Sequence, residues 1–484
     1  MPTIKQIASD LASSKASSVE ITQNYLEKIK KQNEELNCFV LICEEQAIKM
    51  AKASDERRSK GQAVGVLDGV PLAIKDLYCT KNIRTTSCSQ MLKNFIPPYE
   101  STATQRAWDA GAVLLGKTNM DEFAMGSATS RSVFGKCFSP LKLDGVNLTP
   151  GGSSGGSVSA VAAGLAPASF GSDTGGSIRQ PAAFCGLVGF KPTYGRISRY
   201  GMIAYASSFD QAGFFGRTLE DTAILTQICA GPDGLDSTLT STPLGNLLGN
   251  IPTKLNGLKI AVSPDFITKE MDGEILKSYN DCLNLFKKLG AEIVEVAMPN
   301  IKYSLNVYYF ISTAEASSNL ARFDGVRYGH QTSKKFGSYE EFISLNRAEG
   351  FCDEVKNRIL IGTQALLKDN YTENYEKILR LRQKIRNDYD EAFKKADIVF
   401  LPTVPSLPPK HDYKYTQIEE YMCDILTVSL NVAGLGGVSI PTANSADGRP
   451  IGMQLVYPAF GESKMFPLAQ LLERELNYKH PILG

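Results

Sequence analysis

The chain has 484 residues, 43% apolar and 21% charged, a balance that excludes a disordered or fibrous protein and allows a large core without disulfide or metal staples. Its 52 Lys and Arg stand against 51 Asp and Glu, leaving +1, so nothing in the total charge marks a nucleic-acid or anionic-membrane binder. The ten cysteines show no C-x-x-C spacing, which removes zinc-ribbon and thioredoxin-like readings and predicts free thiols in a reducing cytoplasm, with no metal site. No apolar run reaches the ~18 residues of a membrane span, and the amphipathic N-terminus lacks the apolar stretch of a signal peptide.

The first sixty residues read as helices, with Val19, Ile21, Tyr25 and Ile29 near helical spacing. From residue 64 short apolar runs alternate with helical patterns. Strands are predicted at 69–75, 112–116, 167–171, 187–191, 258–262, 292–297, 397–402, 437–441 and 451–456. Helices are predicted at 101–109, 157–165, 218–229, 272–288, 304–322, 352–367, 371–395, 418–433 and 463–476. Such alternation predicts an α/β fold, a large mixed central β-sheet covered by helices on both faces. Without a Pro/Ser-rich linker or repeat, residues 1–484 read as one domain: a helical part at 1–60, a core at 64–235, and the rest of the sheet with a helical part at 236–484.

The segment GGSSGGSVSAVAAGLAPASFGSDTGGSIRQP, 151–181, carries the strongest chemical signal. Two Gly/Ser turns flank a helix of about ten residues and a strand of about five, so the outward rise of ~15 Å and the return of ~16 Å nearly cancel. The turns at 151–156 and 173–177 therefore fall at one end of the sheet, presenting Ser153 or Ser154 beside Ser177. Successive glycines let backbone N–H groups converge on a developing oxyanion or a phosphate, and a short helix predicted at 177–184 adds its dipole. The plainer reading is two tight turns whose serines cap helices.

A serine nucleophile needs a base. The three histidines, His330, His411 and His480, lie away from the Gly/Ser turns, and His330 reads as a helix C-terminal cap. Lys75 closes the apolar strand VPLAIKD. It is either emerging into solvent or buried and neutral, while strand alternation sends Asp76 to the opposite face. Ser–Lys catalysis is thus available where Ser–His is poorly supported. Residues 111–118, GAVLLGKT, match the nucleotide-binding pattern G-x-x-x-x-G-K-[ST], but their apolar AVLL is strand-like and a helix precedes them, so a nucleotide site is disfavoured.

Lys75 at a strand end, GGSSGGS at 151–157 and SDTGGSIRQPA at 172–182 resemble the amidase signature family in order and spacing. The resemblance implies that Ser177 is the acylated nucleophile, Ser153 a bridging serine on a cis peptide bond and Lys75 the general base. It also implies that the amides of Thr174, Gly175, Gly176 and Ser177 form the oxyanion hole. LDGVPLAIKD (67–76), GKTNMDEFAMGS (116–127), FKPTYGRISRYG (190–201), AEASSNLARFDGVRYG (314–329), RILIGT (358–363) and CDILTVSLNVAGL (423–435) look like the A subunits of tRNA-dependent amidotransferases within that family. That likeness implies a cytoplasmic glutaminase handing ammonia to partner subunits B and C, which amidate Glu-tRNA(Gln), often also Asp-tRNA(Asn). Arg358 would hold the substrate's α-carboxylate and Asp424 its α-ammonium. No cofactor is implied on this chain. ATP, magnesium and most of the tRNA contact are expected on a partner.

The sequence departs from the family at Gly436, where a proline is common, and at Phe214-Phe215, where a proline usually follows Gly213. Ser130-Arg131 replaces a more usual acidic-polar pair, and 138–148 is atypical. Three alternatives stand beside the amidotransferase reading: a free-standing amidase acting on another small amide, the disfavoured nucleotide binder, and a scaffold retaining only the fold.

Overall fold

In the computed structural model, which describes residues 2–268, 270–367, 374–414 and 416–483, the strands are β1 (Phe39–Ile42), β2 (Pro71–Lys75), β3 (Val113–Thr118), β4 (Lys142–Leu143), β5 (Val146–Asn147), β6 (Ala168–Ser172), β7 (Val188–Lys191), β8 (Ala212–Gly216), β9 (Lys259–Val262), β10 (Glu292–Glu295), β11 (Ile398–Pro402), β12 (Gly436–Asn444) and β13 (Pro450–Tyr457). Eleven of them form one sheet in the order β1-β3-β2-β6-β8-β7-β12-β13-β11-β9-β10. The sheet is mixed: β3, β2 and β6 run parallel, as do β11, β9 and β10, while the central pairs from β6 to β11 are antiparallel. Strands β2, β3, β6, β7, β8, β11 and β13 are buried at every residue, which requires helices over both faces, as the sequence predicts.

The nine predicted strands are all present, with no end displaced by more than three residues. Within the large sheet the sequence reading missed β1 and β8. FVLI in β1 is a four-residue run among helical patterns, and only antiparallel pairing with β3 makes it an edge strand. In β8 the run AGFFG has glycine near both ends and no alternation. Phe214 and Phe215 are nevertheless fully buried, with Phe214 edge-on to Phe170 at 4.9 Å, so β8 is a core strand. The atypical 138–148 segment contains the β4–β5 hairpin.

At the N-terminus, Thr3 and Ser17 close capping boxes over the helices Ile4–Ala12 and Ser18–Leu36. The helix Tyr339–Gly350 was not foreseen, and the predicted 418–433 helix is two short ones, Gln417–Met422 and Val428–Ala433. The predicted 371–395 helix is observed as Glu376–Phe393, and residues 371–373 lie outside the described residues. Residues 113–118 of the nucleotide-like motif form β3, between β1 and β2. Lys117 is buried, donating to the carbonyl of Tyr78 and to Thr80 Oγ1 (3.1 Å) and Thr85 Oγ1 (3.0 Å), so this segment is a core strand and not a phosphate loop. All ten cysteines are free thiols. Among the described residues no helix is long and apolar enough to cross a membrane.

Candidate active site

Parallel neighbours β2 and β6 end at the same edge of the sheet, with Ala73 opposite Ser169 and Ile74 opposite Phe170. The helix Gly155–Ala162 runs back from that edge, so the loop before it lands beside the strand ends, as the element lengths predict. Gly156 is required for the approach, since a Cβ there would lie 2.4 Å from the Asn119 nitrogen and 2.5 Å from the Cys38 carbonyl. The Gly152–Ser153 peptide is cis. Its loop is held by Gln180, whose Oε1 accepts from Gly152 N (3.0 Å) and whose Nε2 donates to the Ser127 carbonyl (3.0 Å).

Lys75 reaches into this convergence. Its Nζ lies 2.9 Å from Ser153 Oγ, 2.7 Å from Ser154 Oγ and 2.8 Å from Ser172 Oγ, and both Lys75 and Ser153 are fully buried. Ser154 stands at a helix N-cap position, yet its hydroxyl makes no capping bond and faces the lysine instead. Burial lowers the Lys75 pKa from 10.5 to about 7, against the pull of Asp121, Asp173 and Asp210. Asp76 turns away, as alternation requires, and accepts from the Thr86 backbone nitrogen (3.1 Å) and hydroxyl.

Ser177 is 9% exposed and so more open than the two residues behind it. It precedes the helix Arg179–Cys185, which starts two residues later than predicted. The turn before it rests on a buried ion pair. Asp173 receives Arg179 Nε and Nη2, both at 3.0 Å, and Arg179 also donates to the Thr427 carbonyl (2.9 Å) and to Asn431 Oδ1 (2.7 Å). Burial opposes the Asp173 charge, but Arg179 outweighs it and holds the carboxyl below its ordinary range. Gly176 has φ +136°, and a Cβ there would lie 2.2 Å from Thr427 Oγ1. Its N–H donates to Asp173 Oδ1 at 2.9 Å. Of the four amides expected to face an oxyanion, that of Gly176 is therefore already engaged, because the turn folds back onto its own aspartate. The N–H groups of Thr174, Gly175 and Ser177 have no acceptor among the described residues. Thr174 is held through Oγ1, which donates to Asp210 (2.7 Å).

Arg358 and Asp424 border a single tyrosine. The Arg358 guanidinium lies over the Tyr309 ring at 5.3 Å, and the Tyr309 hydroxyl donates to Asp424 Oδ2 at 3.4 Å. Arg358 donates through Nε to Glu354 (2.8 Å) and through Nη1 to the Tyr205 hydroxyl (2.7 Å), leaving Nη2 without an acceptor among the described residues. Burial works against its charge, but Tyr205, Tyr309 and Glu354 outweigh burial and keep the pKa above the ordinary arginine value. Burial raises Asp424 to about 7, opposed first by the hydrogen bond from Ser127 Oγ (2.9 Å). A thread of contacts joins this pair to the glycine turn, since Thr427 Oγ1 donates to the carbonyls of Gly175 (2.7 Å) and Asp424 (3.0 Å).

No histidine contacts these groups. His330 lies in a loop, its Nε2 2.9 Å from Glu349, and is not the helix cap that its sequence neighbours predict. His411 packs against Phe138 and the Asn147 carbonyl, while His480 Nε2 donates to the Cys185 carbonyl at 2.9 Å. Sequence reasoning did not single out Ser172, Ser127, Tyr205, Tyr309, Glu354 or Glu420. Ser127 and Ser172 were visible only as parts of the quoted motifs MDEFAMGS and SDTGGSIRQPA, and the others carried no local signal.

Residues 20–466 match the amidase family, and the chain belongs to it. It is 44% identical over 475 residues, covering 98% of both chains, to a glutamyl-tRNA(Gln) amidotransferase A subunit (the one numbered 2) of Clostridium acetobutylicum. The crystal structure of the glutamyl-tRNA(Gln) amidotransferase A subunit from Thermotoga maritima is 34% identical with a TM-score of 0.77, covering 94% of this chain and 91% of that one. A crystal structure of an amidase is 28% identical with a TM-score of 0.81, covering 98% of this chain and all of that one. Membership thus narrows within the family to the amidotransferase A subunits.

Proposed function

We propose that this chain is the glutaminase subunit of a cytoplasmic tRNA-dependent amidotransferase. The observation that carries the reading is the fully buried Lys75 amine, its pKa lowered to about 7, at 2.9 Å from Ser153 in the loop that faces the Ser177 turn. A neutral lysine has a lone pair and can accept the Ser153 proton as Ser153 takes the proton of Ser177. Ser177 Oγ then bonds to the side-chain amide carbon of glutamine, and the oxyanion is met by the N–H groups of Thr174, Gly175 and Ser177, with Gly176 serving the turn through Asp173. Return of the proton to the amide nitrogen breaks the C–N bond and releases ammonia. Water, activated along the same relay, hydrolyses the γ-glutamyl ester to glutamate and restores Ser177.

Arg358 and Asp424 select the substrate. A free amino acid presents a carboxylate and an ammonium on one carbon, and the buried guanidinium and carboxyl groups beside Tyr309 match that pair. Subunits B and C receive the ammonia and amidate Glu-tRNA(Gln), and in some settings Asp-tRNA(Asn). ATP, magnesium and most of the tRNA contact belong to them, in keeping with a chain whose net charge is only +1. The test is ammonia release from glutamine by the chain alone and with its partner subunits. Weak turnover that assembly stimulates supports the reading, whereas full partner-independent hydrolysis of unrelated amides would replace it by a free-standing amidase.

A further inference from the structure

Arg131, where the sequence departs from the family, stands between two carboxylates that each lead to one end of the clamp. Its backbone is fixed by Asp121 Oδ1, which accepts from Ser130 N (2.9 Å) and Arg131 N (3.1 Å). Both terminal guanidinium nitrogens engage Glu420, Nη2 at 2.5 Å from Oε2 and Nη1 against Oε1, and Nη2 lies 3.8 Å from Glu354 Oε2. Glu354 Oε1 holds Arg358 Nε at 2.8 Å. Glu420 Oε1 also accepts from Ser127 N at 3.4 Å, while Ser127 Oγ donates to Asp424 at 2.9 Å. One serine therefore separates Glu420 from the carboxylate proposed to bind the substrate ammonium.

Glu354 and Glu420 are each 8% exposed, so their charges are poorly screened and an unpaired one is felt nearby. The groups facing Asp424 are Ser127 on its loop, Tyr308 and Tyr309 on the helix Ser304–Asn319, Arg358 on the helix Asp353–Leu366, Glu420 one turn back in its own segment, and Asp173 from the glycine turn. Arg358 favours its charge, whereas Glu420 and Asp173 oppose it. Asp173 is already neutralised by Arg179. Glu420 is neutralised by Arg131.

We propose that Arg131 is a positioning residue for glutamine binding: by pairing with Glu420 it leaves Asp424 as the carboxylate that carries negative charge toward the substrate's α-ammonium. This rests on the clamp reading of Asp424. The device acts on KM and leaves the acylation relay untouched.

The experiment measures kcat and KM against pH for the full chain assembled with its partner subunits, with glutamine and with glutaramate, which keeps the amide and carboxylate but lacks the ammonium. In Arg131→Gln the unpaired Glu420 disfavours the Asp424 charge. The fall of the glutamine KM with rising pH then moves up by about one unit, raising KM about fivefold at pH 7 with kcat unchanged. Glu420→Gln moves it the other way, the double variant Arg131→Gln/Glu420→Gln lies within twofold of wild type, and glutaramate KM does not respond. A glutamine KM profile in Arg131→Gln that superimposes on wild type, or a double variant as impaired as Arg131→Gln, overturns the proposal. Should Arg131→Gln not fold, the downward shift in Glu420→Gln decides it, and no shift there overturns it. Asp424→Asn is the separate control. An unchanged glutamine KM in that variant defeats the clamp and this inference together, whereas a raised KM with a silent Arg131→Gln defeats only the inference.

Discussion

Replacing Lys75 by methionine removes the proposed base while keeping an unbranched stem in the same buried space. The displacement of its pKa from 10.5 to about 7 amounts to ~5 kcal/mol of bias against the ammonium form. At pH 7 an unperturbed lysine is neutral in roughly one molecule in 3,000, and a group titrating near 7 in about half, so burial raises the competent fraction on the order of 10³-fold. The carboxylates Asp121, Asp173 and Asp210 pull the other way, and the value near 7 already includes their pull. Asp173 is in addition committed to Arg179. The sign follows from the form required. Activity needs the neutral amine, whose fraction grows with pH, so kcat climbs about tenfold per unit below about pH 7 and levels off above it. The assay is steady-state ammonia release from saturating glutamine between about pH 5.5 and 9, followed in wild type and Lys75→Met. The variant is expected to lose roughly 10³–10⁴ in kcat and with it the rising limb. A Lys75→Met protein with near-wild-type turnover, or one that keeps the limb, refutes the assignment of the base.

Ser153→Ala is expected to cost about as much as Lys75→Met, and the double variant little more than either, because both act in one proton relay; additive losses in a double-mutant cycle would contradict this. Ser177→Ala should yield no covalent adduct with a serine-directed or glutamine-analogue electrophile by intact-protein mass spectrometry, while a labelled Ser177→Ala protein would mean that another nucleophile is at work. Arg358→Ala and Asp424→Ala each should lower kcat/KM for glutamine by about 2–4 kcal/mol, roughly 30- to 1,000-fold, yet leave small amides without the end groups unaffected; equal losses on both substrate types would remove the clamp. His330→Gln and His411→Gln should leave the kcat–pH limb in place, since neither ring touches the Lys75–Ser153 relay. A lost limb in either would move the base to a histidine.

How far each of these residues was legible depended on what kind of interaction places it. The meeting of the 151–156 loop with the 173–177 turn followed from local quantities: glycine and serine spacing, the rise of a helix, and the length of a returning strand. Those lengths needed no knowledge of the rest of the molecule, and Ser154 Oγ donates to the Ser172 carbonyl at 3.2 Å, at the foot of the second turn, as the cancellation requires. The strand VPLAIKD likewise determined by alternation that Lys75 and Asp76 part company. Whether that lysine emerged into solvent or was stripped of water was not determined by its neighbours in sequence. It was decided by the packing that brings Ser153, Ser154 and Ser172 around the amine, because desolvation is a property of everything that excludes water from a site. β8 lacked a period for the same reason, its phenylalanines being buried on both faces by contacts made elsewhere. The Arg131–Glu420 pair spans 289 residues, and Arg358 and Asp424 meet around Tyr309 from separate elements. Local spacing determined the turns and the strand edge. Tertiary structure alone decided which charges face one another across the site, because a Coulomb interaction depends on distance in space and on the water removed between the groups, and sequence separation measures neither.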